Sequence, residues 1–205
     1  AGVTGHYDRA QLQRGFRVYK EVCATCHAMS LMRFRNLAEA GGPGFTMGQV
    51  ETLAAEIEVE EIGDEGTPVA RPGKPSDAFK SPFANPQAAR AANGGALPPD
   101  LSVMAKARNI HGEVPWYLAP IVWLRDIATG YQEGGPDYIH AVLTGYHEAP
   151  AGFQLAEGMN YNTAFQGNQI AMPAPFADAQ IEYTDGSPAT VEQYSRDVSS
   201  FLMWA

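Results

Sequence analysis

The run Cys23-Ala24-Thr25-Cys26-His27 sets two thiols three positions apart, with an imidazole directly after the second. In this C-x-x-C-H pattern the two sulfurs become thioether links to haem vinyl groups and the histidine ligates the iron. Two rival readings are a dithiol redox pair and half of a zinc site. A redox pair has no need of His27 at that place. Zinc normally recruits more cysteines or a spaced pair of histidines, and this chain has only two Cys and five His. The pattern occurs once, so one haem is expected.

Working outward, 205 residues with 45% apolar and 18% charged composition fit one globular domain spanning 1–205. No run of about 18 apolar residues occurs, and Ala1-Gly2-Val3-Thr4 has neither the charged nor the apolar region of a leader, so a soluble, processed chain is expected. Covalent haem attachment takes place outside the cytoplasm, and it would consume both cysteines; periplasm or intermembrane space follows. The net charge of -9, to which haem propionates would add, repels nucleic acid and attracts a basic partner. Much of the excess sits in Glu51, Glu56, Glu58, Glu60, Glu61, Asp64 and Glu65, which read either as a solvated segment or as a docking surface.

Leu12, Phe16, Tyr19 and Val22 recur at helical spacing behind a possible Asp8 cap, predicting a helix from about residue 9 into the haem motif. From Gly63 to Pro99 seven prolines deny long helices or central strands, and an extended wrapping loop is expected. Residues 115–129 are apolar almost all round, predicting a helix that begins near Pro120 and is mostly buried or covers an apolar surface. Pro136 to Gly145 reads as a short helix with Gly145 at C′. Asp185-Gly186 makes a turn, and Ser187-Pro188 supplies a cap and first residue for a final helix whose stripe is Val191, Tyr194, Val198 and Phe201.

The second axial position decides whether such a haem passes electrons or binds small molecules. Met29 and Met32 lie too near the attachment motif to reach the opposite face, while Met47, Met104 and Met203 read as core fillers. Met172, in Ile170-Ala171-Met172-Pro173-Ala174-Pro175, sits on a backbone stiffened by prolines, and Tyr161 and Phe165 upstream could close around it. The spacing favours Met172 and leaves Met159, His6, His111, His140 and His147 open.

Four stretches carry a family resemblance: Cys23 to His27 with Arg35-Asn36-Leu37; Asn85 to Ser102, including Asn93-Gly94-Gly95-Ala96-Leu97-Pro98-Pro99-Asp100; Asp137-Tyr138 through Leu143-Thr144-Gly145-Tyr146; and Tyr161-Asn162 through Met172-Pro173. Together with Asp185 to Trp204 the sequence resembles the cytochrome c1 family, the haem subunits of quinol:cytochrome c oxidoreductase. The resemblance implies a mainly α, cytochrome c-type fold around one covalently bound haem c, with long Pro-rich loops and a helical insertion. It implies attachment through Cys23 and Cys26, His27 and Met172 as iron ligands, Asn93, Pro98, Pro99 and Tyr161 at the haem, and Arg108, Lys106 or Arg35 against a propionate.

It also implies a one-electron relay rather than an enzyme by itself. Cytochrome b and the Rieske iron-sulfur protein would be its partners in a complex, and a c-type cytochrome with a basic docking face would be its acceptor. The residues Asn109–Gly135, absent from compact mitochondrial-type members, suggest a bacterial member on the periplasmic side of the inner membrane. Members continue past the closing helix into a membrane anchor, so an anchor is expected after Ala205. The rivals are a freely diffusing c-type carrier and a haem peroxidase or ligand-binding protein.

Overall fold

The computed structural model describes residues 6–108, 115, 117–129 and 134–205. Helix α1 (Arg9–Glu21) starts where expected, with Asp8 accepting a hydrogen bond from the Gln11 amide at 2.8 Å. Its buried face carries Leu12, Phe16, Val18 and Tyr19. A 3-10 turn, Cys23–Thr25, follows directly, and the Cys23 carbonyl accepts from the Cys26 and His27 amides at 3.1 and 2.8 Å. The core helix therefore delivers the Cys-His motif as one tight turn at its C-terminal end.

A second 3-10 turn (Phe34–Ala38) packs against α2 (Met47–Ala55), whose start is held by a reciprocal Thr46/Gln49 capping box. Met47, expected to fill core, is half-exposed at the first position of α2, one turn before the buried Val50 on the same face.

The Pro-rich stretch is more structured than the expected loop. An antiparallel hairpin, β1 (Glu58–Ile62) with β2 (Pro68–Pro72), opens it, and Glu60 pairs with Ala70. Pro68 and Pro72 stand at the ends of β2 in a two-stranded sheet, where no central ladder needs their missing N–H. A short helix α3 (Pro86–Ala92) follows, with Asn85 accepting from the Ala88 amide and Pro86 in its first turn. Between these elements the chain does wrap. Phe34 and Arg35 amides donate to the carbonyls of Asp77 and Pro75, and the Phe79 amide donates to Met32.

A single turn of helix, α4 (Met104–Ala107), leads toward the insertion. There α5 (Ala119–Thr129) forms with Pro120 in its first turn, as the spacing predicts. Of the side chains described on it, Ile121, Trp123 and Leu124 are 64%, 67% and 69% exposed, which goes against burial and leaves the other expectation, that the helix covers an apolar surface. Helix α6 (Gly135–Thr144) ends at Gly145, whose φ of -84° makes it an ordinary cap rather than a left-handed C′ residue. Glycine is required there by crowding, since a Cβ would lie 2.6 Å from the Ala141 carbonyl and 2.9 Å from Asn162 Oδ1. Two short strands, β3 (Asn160–Tyr161) and β4 (Gln169–Ile170), pair antiparallel.

The closing helix α7 (Val191–Trp204) begins three residues later than Ser187-Pro188 suggests. Thr190 caps the Gln193 amide, and Asp178 accepts from the Val191 amide at 2.8 Å. Helix α7 crosses α1 closely at Gly15, where a Cβ would sit 2.2 Å from the Asp197 carbonyl. Around this crossing Phe16 and Tyr19 meet Phe79 and Phe201, with Phe45 against Phe16. Such ring contacts add about 0.5–1.5 kcal/mol each to the burial itself. The structure is mainly α, and no helix among the described residues is long and apolar enough to cross a membrane.

Candidate functional site

His27 follows the α1 turn, and its ring is held by a segment 72 residues away: Nδ1–H donates to the Pro99 carbonyl at 2.9 Å. A carbonyl can only accept, so this bond assigns the ring hydrogen to Nδ1 and leaves the Nε2 lone pair free to ligate a metal. Burial lowers the His27 pKa, with the bond to Pro99 opposing it, and so favours the neutral ring. The Pro99 segment is itself laced to the motif. Leu101 N–H donates to the Ala28 carbonyl, Ser30 N–H donates to the Asp100 carboxylate, and Leu31 N–H donates to Ser102 Oγ.

Cys23 and Cys26 stand at the two ends of the one 3-10 turn and are not joined in a disulfide. Burial pushes the Cys23 thiol up to about 12, the opposite of what an attacking redox thiol needs. No group of three or more His, Cys, Asp or Glu suited to a metal occurs among the described residues, which leaves zinc without a ligand set. Exposed apolar side chains at Leu31, Leu97 and Val103 flank the same laced segments, a surface that a large apolar group can cover. The donor set and its setting fit haem.

Met172 lies two residues beyond β4 and is half-buried. Its carbonyl accepts from Tyr146 Oη at 3.1 Å and from Asn160 Nδ2 at 3.4 Å. Neither residue was singled out from sequence; they reach Met172 across 26 and 12 positions, a convergence that no periodicity announces. Asn162, fully buried, organises the surrounding loop. It donates to the Val142 carbonyl at 2.8 Å, and its Oδ1 accepts from the Ala164 and Phe165 amides.

Tyr161 stands edge-on to Phe153 at 5.0 Å. With Tyr146, Met159 and Ala174 it lines an open cleft of about 540 Å³ beside the Met172 loop. Met29 and Met32 are core, and Met104 and Met203 pack against it. His140 pairs with Glu192 at 3.2 Å, His6 and His147 are exposed, and His111 lies outside the described residues.

The remaining expected contacts differ in how they are held. Asn93 caps α3 and donates to the Ala89 carbonyl at 2.7 Å, and Pro98 is half-buried next to Pro99. Arg35, Lys106 and Arg108 have exposed side chains. The Arg35 backbone N–H donates to the Pro75 carbonyl.

The cytochrome C1 family model matches residues 1–205. The chain belongs to the cytochrome c1 family. It is 53% identical over 206 residues to the cytochrome b/c1 of Bradyrhizobium diazoefficiens, covering all of this chain and 29% of that protein. It is 45% identical over 207 residues to cytochrome c1 of Blastochloris viridis, covering all of this chain and 71% of that one. It is 44% identical over 206 residues to the mitochondrial cytochrome b-c1 complex catalytic subunit of Candida albicans, covering all of this chain and 62% of the relative. Cytochrome c1 proteins carry one covalently attached haem c, and Cys23 and Cys26 have the spacing for it.

Proposed function

We propose that this cytochrome c1 chain is the electron-transfer subunit of a cytochrome bc1 complex, taking one electron from the Rieske iron-sulfur protein and passing it to a c-type cytochrome. Cytochrome b and the Rieske protein are its neighbours, on the periplasmic side of a bacterial inner membrane. The observation that carries this reading is the His27–Pro99 bond, which prepares a single ligand nitrogen directly after the Cys23/Cys26 pair.

Bound haem supplies a reversible one-electron couple at its iron. The rest is the work of this chain's residues. Cys23 and Cys26 would hold the haem covalently, and His27 Nε2 and the Met172 thioether would ligate its iron. Asn93, Pro98, Pro99 and Tyr161 would line the haem, and Arg108 or Lys106, with Arg35 as a second candidate, would neutralise a propionate. No acid, base or nucleophile is required, because no substrate bond is made or broken.

The acidic residues support a basic acceptor. Glu58, Glu60, Glu61, Asp64 and Glu65 are exposed on the β1–β2 hairpin and its turn, and Glu51 and Glu56 are exposed on and after α2. Lys20 partners Glu56, and Arg71 partners Glu61, so the remaining carboxylates dominate the local field.

The test is the rate of electron transfer from the reduced holoprotein to a basic c-type cytochrome. A rate that falls steeply with added salt supports steering by these carboxylates, and a flat profile rejects it. Rapid binding of carbon monoxide by the reduced protein rejects the closed electron-transfer site altogether.

A further inference from the structure

We propose that Tyr146 and Asn160 are positioning residues for Met172: two side-chain donors on separate segments converge on one carbonyl and fix the direction in which the thioether is presented. The proposal rests on the reading of Met172 as the sixth ligand.

The argument begins with what the loop lacks. Pro173 and Pro175 have no N–H, and among the described residues 172–175 enter no backbone-to-backbone hydrogen bond. With only the Met172 and Ala174 amides left as donors, and neither in such a bond, the side chains that reach the segment do so through an acceptor. The Met172 carbonyl is the acceptor nearest the thioether, and it receives both Tyr146 Oη at 3.1 Å and Asn160 Nδ2 at 3.4 Å.

The two donors stand on a frame that does not depend on the loop. Tyr146 follows α6 and forms an isolated bridge with Asn162, while the Gly145 carbonyl accepts from the Thr163 amide at 2.9 Å. Asn160 lies on β3, opposite Ile170 of β4. The buried Asn162 amide ties both to the end of α6 through Val142. Burial also raises the Tyr146 phenol, which keeps it a donor well beyond neutral pH. Met172 is thus held from α6 on one side and from the β3–β4 ladder on the other.

The test uses holoprotein and imidazole, which competes with methionine for the iron. Tyr146→Phe removes only the hydroxyl and is expected to raise the apparent imidazole affinity of the oxidised protein about tenfold, in line with one lost hydrogen bond. The midpoint potential should fall as the thioether loosens. Asn160→Ala should do the same to a smaller degree, and the double variant should exceed the product of the two, because the carbonyl then has no donor left. These are readouts that a packing role alone leaves unmoved, provided the thermal midpoint stays near that of the parent. Single variants whose imidazole affinity and potential both stay within about twofold and the error of the parent overturn the proposal.

Met172→Leu separates this failure from failure of the underlying reading. If it raises imidazole affinity and abolishes the effect of Tyr146→Phe, both readings stand. If Met172→Leu changes neither affinity nor spectrum, methionine ligation itself is wrong.

Discussion

The Nδ1 of His27 lies 2.9 Å from the carbonyl oxygen of Pro99, so the imidazole that follows the second cysteine is oriented by a backbone group from the far end of the Pro-rich segment. That carbonyl stays in place because the next residue, Asp100, accepts hydrogen bonds from the Ser30 and Ser102 amides at 2.9 and 2.8 Å. Asp100 therefore acts on His27 at one remove.

Asp100→Ala is expected to cost about 1 kcal/mol of stability, the ordinary net worth of a hydrogen bond, since water can reach this partly exposed site. It should also make the haem easier to displace from His27. Urea unfolding and imidazole titration of the holoprotein measure the two effects. The same carboxylate predicts a pH dependence. Burial works to raise its pKa, but the bonds from Ser102 and Ser30 outweigh it and bring it to about 2. A carboxyl depressed below its unfolded value of about 3.9 stabilises fully above that pH and loses the contribution as pH falls toward about 2. Parent and Asp100→Asn should therefore differ most at neutral pH and converge in acid.

Arg14 joins α1 to α7 through Asp197, at 2.8 Å, and reaches Asp185 at 2.7 Å. The Asp197 side chain is completely buried. Arg14→Leu strands that carboxylate without its cation, and a loss of about 3–5 kcal/mol is expected. Thermal unfolding would register it as a fall of roughly 6–20 °C for a domain of this size. Replacing Asp197 as well should recover much of the loss, because the stranded charge and not the missing contact is responsible.

Reversing charge on the hairpin, for example Glu58→Lys with Glu60→Lys and Glu65→Lys, should slow reaction with a basic cytochrome about tenfold at low ionic strength. The difference should close at high salt. Stopped-flow rates across a salt series report this directly, and equal rates at every salt concentration would remove the hairpin from the docking surface.

The sequence already contains most of this architecture, for reasons that differ element by element. Helices α1 and α7 are legible because Leu12, Phe16 and Tyr19, and Tyr194, Val198 and Phe201, repeat at helical spacing and are all buried. The hairpin is not, because Glu58-Val59-Glu60-Glu61-Ile62 lacks a clean apolar alternation and Pro68 and Pro72 read as breakers although they only bound a strand. The start of α7 is misplaced because Ser187-Pro188 has the chemistry of a cap, yet Ser187 closes the Asp185 turn instead, its amide donating to Asp185 Oδ1 at 3.0 Å. The exposure of Ile121, Trp123 and Leu124 on α5 runs against their composition, since apolar side chains normally go inside. At the candidate site, local spacing points to Cys23, Cys26 and His27, and the prolines beside Met172 make it the candidate for a stiffly held ligand. Tyr146 and Asn160 stay hidden because only the fold brings their donors to one carbonyl.

The ligation of one iron by His27 and Met172 is tested most directly by the absorption of oxidised holoprotein at the red edge of the visible spectrum, recorded for the parent and for Met172→His. A methionine-to-iron charge-transfer band in the parent that disappears in the variant is the predicted result. A parent without the band, or a variant that retains it, would contradict the account.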